Sequence, residues 1–319
     1  KAGGVFYTPK YVVDYIVKDT VGKHIENKKP KEIAKLSFAD IACGSGSFLI
    51  GVFDYLLDYH LNYYNLNINE AKKDGCKYDN ESGKWILTIN QKQDILLNNI
   101  YGVDIDLQAT EVTQLSLFLK MLEDETTSTA NDMQVLFSTK ILPDLTTNIK
   151  CGNSLIGFEI MDYVMDFGTE ERRKYNPFDY KTAFPRVFNS KSEGFTVIVG
   201  NPPYVKEKTS KEIFDSVRLG KLEKYFQGKM DLWYFFTCYG LDLLKPKGVL
   251  GFIIPNNWVS NAGASKMRKK VIEDSKLIKL IDFGSYMVFE DASIQTMIMI
   301  IEKDSKTDNY SFKNQTFNV

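Results

Sequence analysis

The residues best suited to chemistry in this sequence are Asn201, Pro202, Pro203 and Tyr204, which follow the β-branched run 196–199. Two successive prolines fix φ and remove two backbone donors, so the Pro202 carbonyl and the Asn201 amide can be held as rigid acceptors. Such acceptors suit an amine whose lone pair is delocalised, because accepting its two protons would localise that pair and aim it at a methyl donor. Tyr204 offers a flat face for stacking, worth about 1–3 kcal/mol per base.

A second candidate site lies where the predicted strand 37–42 runs into the glycine turn 44–46. Glycines there let the backbone approach a ligand, and the start of the following helix offers free N–H groups. Leu49 stands where the dinucleotide fingerprint GxGxxG has its third glycine, which argues against a pyrophosphate ligand. A purely structural tight turn is the alternative interpretation.

The next predicted strand ends in Asp104, which is followed by Ile105. Open α/β sheets bind ligands at the carboxyl ends of their strands. A carboxylate at this place can accept hydrogen bonds from both ribose hydroxyls, and Ile105 can form one wall for an adenine. Helix capping is the alternative interpretation of Asp104. The two features on consecutive strands together predict an adenosine-containing ligand.

These residues require a framework of parallel strands, and the apolar pattern predicts one. Strands are predicted at 37–42, up to 104, and at 148–152, 196–200, 248–254, 278–283 and 295–302, with helices at 9–21, 48–57, 110–122 and 232–244. Alternating strands and helices indicate an α/β fold: a seven-stranded, mainly parallel sheet with helices on both faces and one antiparallel edge strand. We also predict a hairpin over 77–89, and solvated insertions at 124–147 and 159–193.

Composition narrows the function classes. The chain has 319 residues and is 44% apolar, enough for one large core or two modest ones. No stretch approaches the roughly 20 apolar residues of a membrane span, and no secretory signal pattern is present, so we expect a cytoplasmic protein. A net charge of −1 argues against an electrostatic grip on nucleic acid by the whole chain. The four cysteines form no CxxC pair, which favours reduced thiols over a disulfide or metal site.

Together these motifs resemble those of gamma-class DNA adenine-N6 methyltransferases, specifically the methyltransferase part of type IIG-like, single-chain restriction-modification enzymes. The resemblance covers nearly the whole chain, with the motifs in the family's order. They are Gly4-Val5-Phe6-Tyr7-Thr8-Pro9, the two cofactor strands, Cys151-Gly152-Asn153-Ser154-Leu155, Asn201 to Tyr204, Asp231-Leu232-Trp233-Tyr234-Phe235-Phe236 and Val288-Phe289. The resemblance implies a Rossmann-like methyltransferase fold that moves a methyl group from S-adenosylmethionine to the N6 amine of a flipped-out adenine.

The resemblance also implies which side chains meet the cofactor and the target base. The methionine end of the cofactor would be lined by Thr8, Asp40 and Ala42, the ribose held by Asp104, and the adenine enclosed by Ile105 and Phe236 with Asn153 at its edge. Related enzymes more often carry aspartate at the Asn153 position. Further cofactor contacts would come from Phe6, Tyr7, Cys43, Gly44, Gly46, Ser154, Asn201 and Pro203. Phe289 would pack against the target base opposite Tyr204, and its alternative role is that of a core phenylalanine.

The resemblance implies an organisation as well. We expect one catalytic domain over 1–319: a capping segment 1–35, a cofactor half 36–160 and a catalytic, target-base half 194–319. A target recognition domain is expected after residue 319, so the isolated chain should bind cofactor but methylate DNA weakly. The expected partners are double-stranded DNA and, either fused to the chain or separate from it, an endonuclease and a specificity domain. The lysines after Tyr204 either meet phosphates or lie on a solvated loop; they are Lys206, Lys208, Lys211, Lys221 and Lys224.

Four alternatives remain at this point. Enzymes that methylate the glutamine amide of translation release factors also carry Asn-Pro-Pro-Tyr, and an RNA amine is another acceptor. A dinucleotide-dependent oxidoreductase would share the sheet and the glycine turn, but it explains neither the double proline nor Leu49. The last alternative is a nucleic-acid binding module without catalytic activity.

Overall fold

The computed structural model describes residues 7–123, 144–163, 168–189, 193–289, 294–304 and 313–316. The strands are β1 (Phe38–Asp40), β2 (Lys77–Asp79), β3 (Lys84–Ile86), β4 (Ile100–Asp104), β5 (Ile149–Cys151), β6 (Phe195–Gly200), β7 (Leu244–Pro255), β8 (Ser275–Asp282), β9 (Thr296–Lys303) and β10 (Lys313–Thr316). The α-helices are α1 (Lys10–Val17), α2 (Lys23–Ile25), α3 (Pro30–Ile33), α4 (Ser47–Leu66), α5 (Ile68–Lys73), α6 (Ile89–Asn99), α7 (Leu107–Leu122), α8 (Thr169–Tyr175), α9 (Tyr180–Ala183), α10 (Pro185–Phe188), α11 (Lys211–Arg218), α12 (Trp233–Leu243) and α13 (Ser265–Asp274).

The main sheet has eight strands in the order β10-β8-β9-β7-β6-β1-β4-β5. All neighbouring pairs are parallel except those of β9, which runs antiparallel to both β7 and β8. The seven predicted strands are confirmed, as is the hairpin, formed by β2 and β3. The prediction of seven strands misses β10, and the prediction of an antiparallel edge is wrong. Strand β9 lies inside the sheet, because its first six residues are buried and apart from Thr296 are apolar, as an internal strand requires.

The strand order reverses at β1. From β1 the chain first adds β4 and β5 on one side, and it then adds β6 and β7 on the other. In open α/β sheets such a reversal leaves a crevice outside the carboxyl ends of the central strands. The three strands that precede predicted motifs end at this crevice: β1 at Asp40, β4 at Asp104 and β6 at Gly200. The topology therefore brings the two halves of the predicted site to one edge of the sheet.

Helices cover both faces of the sheet, as predicted. One buried cluster joins α1, α4, α6 and α7 to the strands, and another joins α12 and α13 to the opposite face. The second cluster corrects the prediction of a solvated insertion at 159–193. Within that segment Phe178, Tyr180, Phe184 and Phe188 are buried against the sheet, because four aromatic side chains outweigh the polar residues between them. Most of the other predicted insertion, 124–143, lies outside the described residues.

The predicted helix 9–21 is two helices joined by a π-helical segment. Helix α1 ends at Val17, the π-helical segment spans Lys18–Gly22, and α2 continues to Ile25. The buried face of α1 packs on α4, where a Cβ at Gly51 would lie 2.5 Å from Cγ1 of Val13. Within the ranges given above, no helix combines the length and apolar character needed to cross a membrane.

Candidate active site

A cleft of about 800 Å³ opens at the carboxyl ends of β1, β4 and β6. It brings together most of the residues that the motifs predicted. The most distant of these residues, Tyr7 and Phe236, are more than two hundred positions apart in the sequence. The predicted residues that line it are Tyr7, Thr8, Asp40, Ala42, Cys43, Gly44, Asp104, Ile105, Asn153, Ser154, Asn201, Pro203 and Phe236. Phe6 lies outside the described residues.

Asp40 closes the floor of the cleft at the end of β1. Its Oδ1 accepts a hydrogen bond from the Ala42 N–H at 3.0 Å. Burial, reinforced by the charge of Asp104, raises the pKa of Asp40 to about 8. Strand β6 passes so close that a Cβ at Gly200 would lie 2.7 Å from Asp40 Oδ1. A cationic group in the cleft would therefore favour an ionised Asp40 that the protein alone disfavours.

Asp104 braces the glycine turn. Its Oδ2 accepts from the Gly44 N–H at 2.8 Å, and its Oδ1 accepts from the Asp106 N–H at 3.0 Å. Burial raises the pKa of Asp104, whereas these two N–H groups lower it. The capping residue of α7 is Asp106, which accepts from the Gln108 N–H, so the helix-cap interpretation of Asp104 is wrong. Asp104 is thus a carboxylate fixed at the wall of the cleft.

The glycine turn needs its glycines for two different reasons. Gly44 (φ +51°) and Gly46 (φ +88°) both adopt left-handed conformations that other residues avoid. Gly44 lines the cleft, but Gly46 does not, in contrast to its predicted cofactor contact. A Cβ at Gly46 would lie 2.8 Å from Cγ2 of Thr113, so this glycine lets α7 approach the turn.

The Asn-Pro-Pro-Tyr segment leaves β6 and enters the cleft through Asn201 and Pro203. The amide nitrogen of Asn201 donates to the Thr8 hydroxyl at 3.2 Å, which ties the segment to the residues before α1. Tyr204 donates from its hydroxyl to the Ile253 carbonyl at 3.0 Å. Pro202 is buried and is not part of the cleft lining.

Phe289 and Tyr204 are brought together, as the motifs predicted. Their ring centroids are 6.4 Å apart at an interplanar angle of 65°, an edge-to-face contact. Phe289 is 4% exposed, so in this state it also occupies the core position given as its alternative. A base held between the two rings would require one of them to rotate.

The residues predicted to enclose the adenine, one directly after β4 and one in α12, face the same space. Ile105 is 56% exposed and Phe236 is buried, and both line the cleft. Asn153 accepts the Leu155 N–H through its amide oxygen at 3.1 Å, so this oxygen is engaged within its own turn. Asn153 also lines the cleft, so its side-chain amide lies within reach of a ligand there.

The sequence does not predict the residues of α8 and α11 that complete the cleft and are called its roof here. The roof residues come from two segments assigned as solvated or loop; they are Lys174 and Tyr175 of α8, and Glu212, Ile213, Ser216 and Val217 of α11. Phe214 and Val217 of α11 are buried, and their spacing of three residues was the available signal. The lysine-rich segment is therefore partly a packed helix, and Lys221 lies over the Tyr239 ring with its Nζ 4.5 Å from the centroid.

The four cysteines are thiols, and three of them are buried. Cys43 lines the cleft, where burial raises its pKa, so the thiol stays protonated and behaves as an apolar group. In the part of the chain that the structure describes, acidic, histidine and cysteine side chains form no cluster of three that could hold a metal ion.

Two protein families match the chain. Residues 98–289 match the Eco57I restriction-modification methylase family, and residues 1–140 match the N-6 DNA methylase family. The type II restriction enzyme and methyltransferase RM.Eco57I of Escherichia coli is 35% identical over 313 residues, which is 97% of this chain and 28% of that protein. A putative type II restriction enzyme and methyltransferase, RM.MjaORFECS2P of Methanocaldococcus jannaschii, is 23% identical over 95% of this chain and 36% of its own length.

Solved structures share the fold at low sequence identity. A nuclease-deletion mutant of the Type ISP restriction-modification enzyme LlaGI, in complex with a DNA substrate mimic, superposes with a TM-score of 0.60 at 16% identity, over 98% of this chain and 24% of that one. The Type IIL restriction-modification enzyme MmeI in complex with DNA gives 0.55 at 16% identity, over 94% and 37%. The chain thus spans about a quarter to a third of these proteins.

Proposed function

This chain belongs to the Eco57I restriction-modification methylase family, and from that premise we propose that it methylates the N6 amine of adenine in double-stranded DNA, as part of a restriction-modification system. The observation that carries the proposal is the position of Asn201, which lines the same cleft as Asp104. The acceptor-binding amide and the carboxylate suited to a ribose therefore serve one space.

The side chains that line the cleft fit S-adenosylmethionine. Asp40 is a buried carboxyl that a cationic amino group would ionise, Asp104 is an acceptor at a strand end, and Ile105 and Phe236 are apolar walls. Thr8 and Ala42 would meet the methionine end, and Asn153 the adenine edge. When bound there, the cofactor supplies a methyl group activated by a sulfonium.

The chain's own residues prepare the acceptor. The Asn201 amide oxygen accepts one N6 proton, and the carbonyl of Pro202, which is buried between the cleft-lining residues Asn201 and Pro203, accepts the other. The two hydrogen bonds localise the nitrogen lone pair along the line of attack. Stacking on Tyr204 offsets part of the few kcal/mol that rotating an adenine out of a duplex costs. Phe289 completes the base site once its edge contact with Tyr204 opens.

We propose that three segments of the sequence have different functions. Residues 36–160 hold the cofactor, 194–319 hold the target base, and 1–35 cap the cofactor. The two restriction enzyme and methyltransferase proteins described above are about three and a half to four times as long as this chain, so we place reading of the DNA sequence and any cleavage in parts of such proteins that lie outside the matched region.

Labelled S-adenosylmethionine tests the acceptor. The complete natural protein that contains this chain is incubated with duplex DNA, with RNA and with a translation release factor, and the labelled DNA is digested to nucleosides. We expect label only in DNA, as N6-methyl-2′-deoxyadenosine, and roughly 100- to 1000-fold slower labelling with Asn201→Ala. Label that enters only the release factor or only RNA would overturn the proposal. Calorimetry of the chain with S-adenosylhomocysteine and with NAD adds a check, since only the first should bind.

A further inference from the structure

Thr8 contacts a residue of the acceptor site from the far end of the sequence. Its hydroxyl oxygen lies 3.2 Å from the amide nitrogen of Asn201, across a separation of 193 positions. Thr8 is only 4% exposed, and both residues line the cleft. The contact therefore sits between the region suited to the cofactor and the region suited to the target amine.

The backbone fixes the position of the Thr8 hydroxyl. Thr8 precedes Pro9, and a residue before proline is confined to extended conformations. Pro9 in turn starts α1, because its carbonyl accepts from the N–H groups of Val12 and Val13 at 3.0 and 3.3 Å. Val12, Val13, Ile16 and Val17 anchor that helix in the core. The hydroxyl is thus held by a packed helix rather than by a loose terminal strand.

An asparagine amide has two unlike ends, and only one of them can accept a proton of the target amine. The amide nitrogen of Asn201 donates to Thr8, so the oxygen points away from Thr8. A threonine hydroxyl can also donate, and it could then hold the amide in the reversed orientation. If the hydroxyl proton is given to an anionic group of a bound ligand, its oxygen can only accept, and the reversed orientation loses its partner.

We propose that Thr8 is a positioning residue for Asn201: its hydroxyl fixes the amide so that the oxygen faces the acceptor amine, and it does so most firmly when its proton is donated to the carboxylate end of the cofactor. This inference rests on the proposed function. It gives Thr8 a role in methyl transfer that is separate from cofactor affinity.

Threonine variants separate the two roles. In the complete natural protein, single-turnover methylation is measured at saturating cofactor and DNA for Thr8→Val, which keeps the shape, and Thr8→Ser, which keeps the hydroxyl. We expect Thr8→Val to lower the rate about 10- to 100-fold, the scale of a misplaced reactive group, and Thr8→Ser to stay within about threefold. Thr147→Val, an exposed threonine outside the cleft, is the matched control. An unchanged rate for Thr8→Val at saturating cofactor would refute the positioning role.

A second substitution distinguishes orientation from general damage. In Asn201→Asp both side-chain oxygens can accept, so the group no longer needs to be turned. We expect Thr8→Val to cost at most about threefold in that background, against its full cost in the native one. An equal cost in both backgrounds would mean that Thr8 acts on folding or cofactor binding alone.

A measurement without catalysis keeps the inference apart from the proposed function. The side-chain amide protons of Asn201 are followed by NMR on the chain, with and without S-adenosylhomocysteine, and assigned by their loss in Asn201→Ala. We expect slow solvent exchange in the native chain, slower still with the ligand, and faster exchange in Thr8→Val. If no DNA is methylated but this pattern holds, the acceptor is wrong and the positioning role stands. If DNA is methylated and exchange is the same in Thr8→Val, the positioning role is wrong.

Discussion

The two sides of the cleft are held in different ways. On the cofactor side, Asp40 and Asp104 accept backbone N–H groups from the turns that follow β1 and β4. On the acceptor side, Asn201 and Tyr204 are held by Thr8 and the Ile253 carbonyl, which come from distant segments. The cofactor side is therefore preformed by its own strands, whereas the acceptor side depends on packing between segments. Substitutions on the first should change binding, and those on the second should change rate.

Asn201→Ala should have the largest effect and should fall on rate alone. It removes an acceptor of the target amine, so methyl transfer to duplex DNA should fall roughly 100- to 1000-fold. The affinity for S-adenosylhomocysteine, measured by calorimetry, should change less than about threefold. A loss of affinity as large as the loss of rate would erase the distinction between the two sides.

Asp104→Ala should lower the affinity for the cofactor rather than the rate of methyl transfer. The substitution removes a carboxylate that could hold a ribose, and it leaves the Gly44 N–H without its acceptor. Loss of a charged hydrogen bond costs about 1.5–3 kcal/mol, which is about 10- to 100-fold in affinity for S-adenosylhomocysteine. Asp144→Ala, an exposed capping aspartate on the 3-10 turn Leu145–Thr147, is the control and should bind normally. If Asp104→Ala binds S-adenosylhomocysteine with full affinity, Asp104 does not contact the cofactor.

Cofactor affinity should depend on pH through Asp40. Its pKa of about 8 in the ligand-free protein means that it is protonated at lower pH, whereas a ligand ammonium group requires the ionised form. Affinity for S-adenosylhomocysteine should thus rise up to about tenfold per pH unit toward pH 8 and then level off. Calorimetry in buffers of different ionisation enthalpy should record proton release. Asp40→Asn should remove the pH dependence; a flat profile in the native chain would contradict the assignment.

Asp40 also makes stability depend on pH. A salt-bridged aspartate makes a protein more stable as pH rises, whereas Asp40 should make it less stable. Its folded pKa lies above the ordinary value of 3.8, so the folded state retains the proton, and the free energy of unfolding falls as pH rises from about 4 to 8. Asp40→Asn should therefore raise the melting temperature of the ligand-free chain above pH 8. The native chain should gain more from S-adenosylhomocysteine than the variant does.

Tyr204→Phe should have the smallest effect. It keeps the stacking face and removes only the hydrogen bond to the Ile253 carbonyl. A neutral hydrogen bond contributes about 0.5–1.5 kcal/mol, so the methylation rate should fall about two- to tenfold with cofactor affinity unchanged. Tyr204→Ala should cost more in rate, because it also removes the stacking face. Equal losses in the two variants would assign Tyr204 an anchoring role rather than a stacking role.

Much of the fold and of the cofactor side could be predicted from sequence because the signals there are local. Asp40 and Asp104 each end an apolar strand, and Gly44 lies in the glycine turn that follows the first of them. A strand end and a glycine turn need no distant information to be recognised. The roof formed by α8 and α11 could not be predicted in this way. Its residues are mostly polar, and only the burial of Phe214 and Val217 against other segments makes that stretch a wall of the cleft.

The chemical groups that this protein carries, and the order of its strands and motifs, can be read from the amino-acid sequence alone. Long-range packing is what places β9 inside the sheet, brings the Gly44 N–H to Asp104, and brings Thr8 to Asn201. The reason is physical: backbone propensity and apolar periodicity act over a few residues, whereas these contacts form between segments that meet only when the whole sheet has packed.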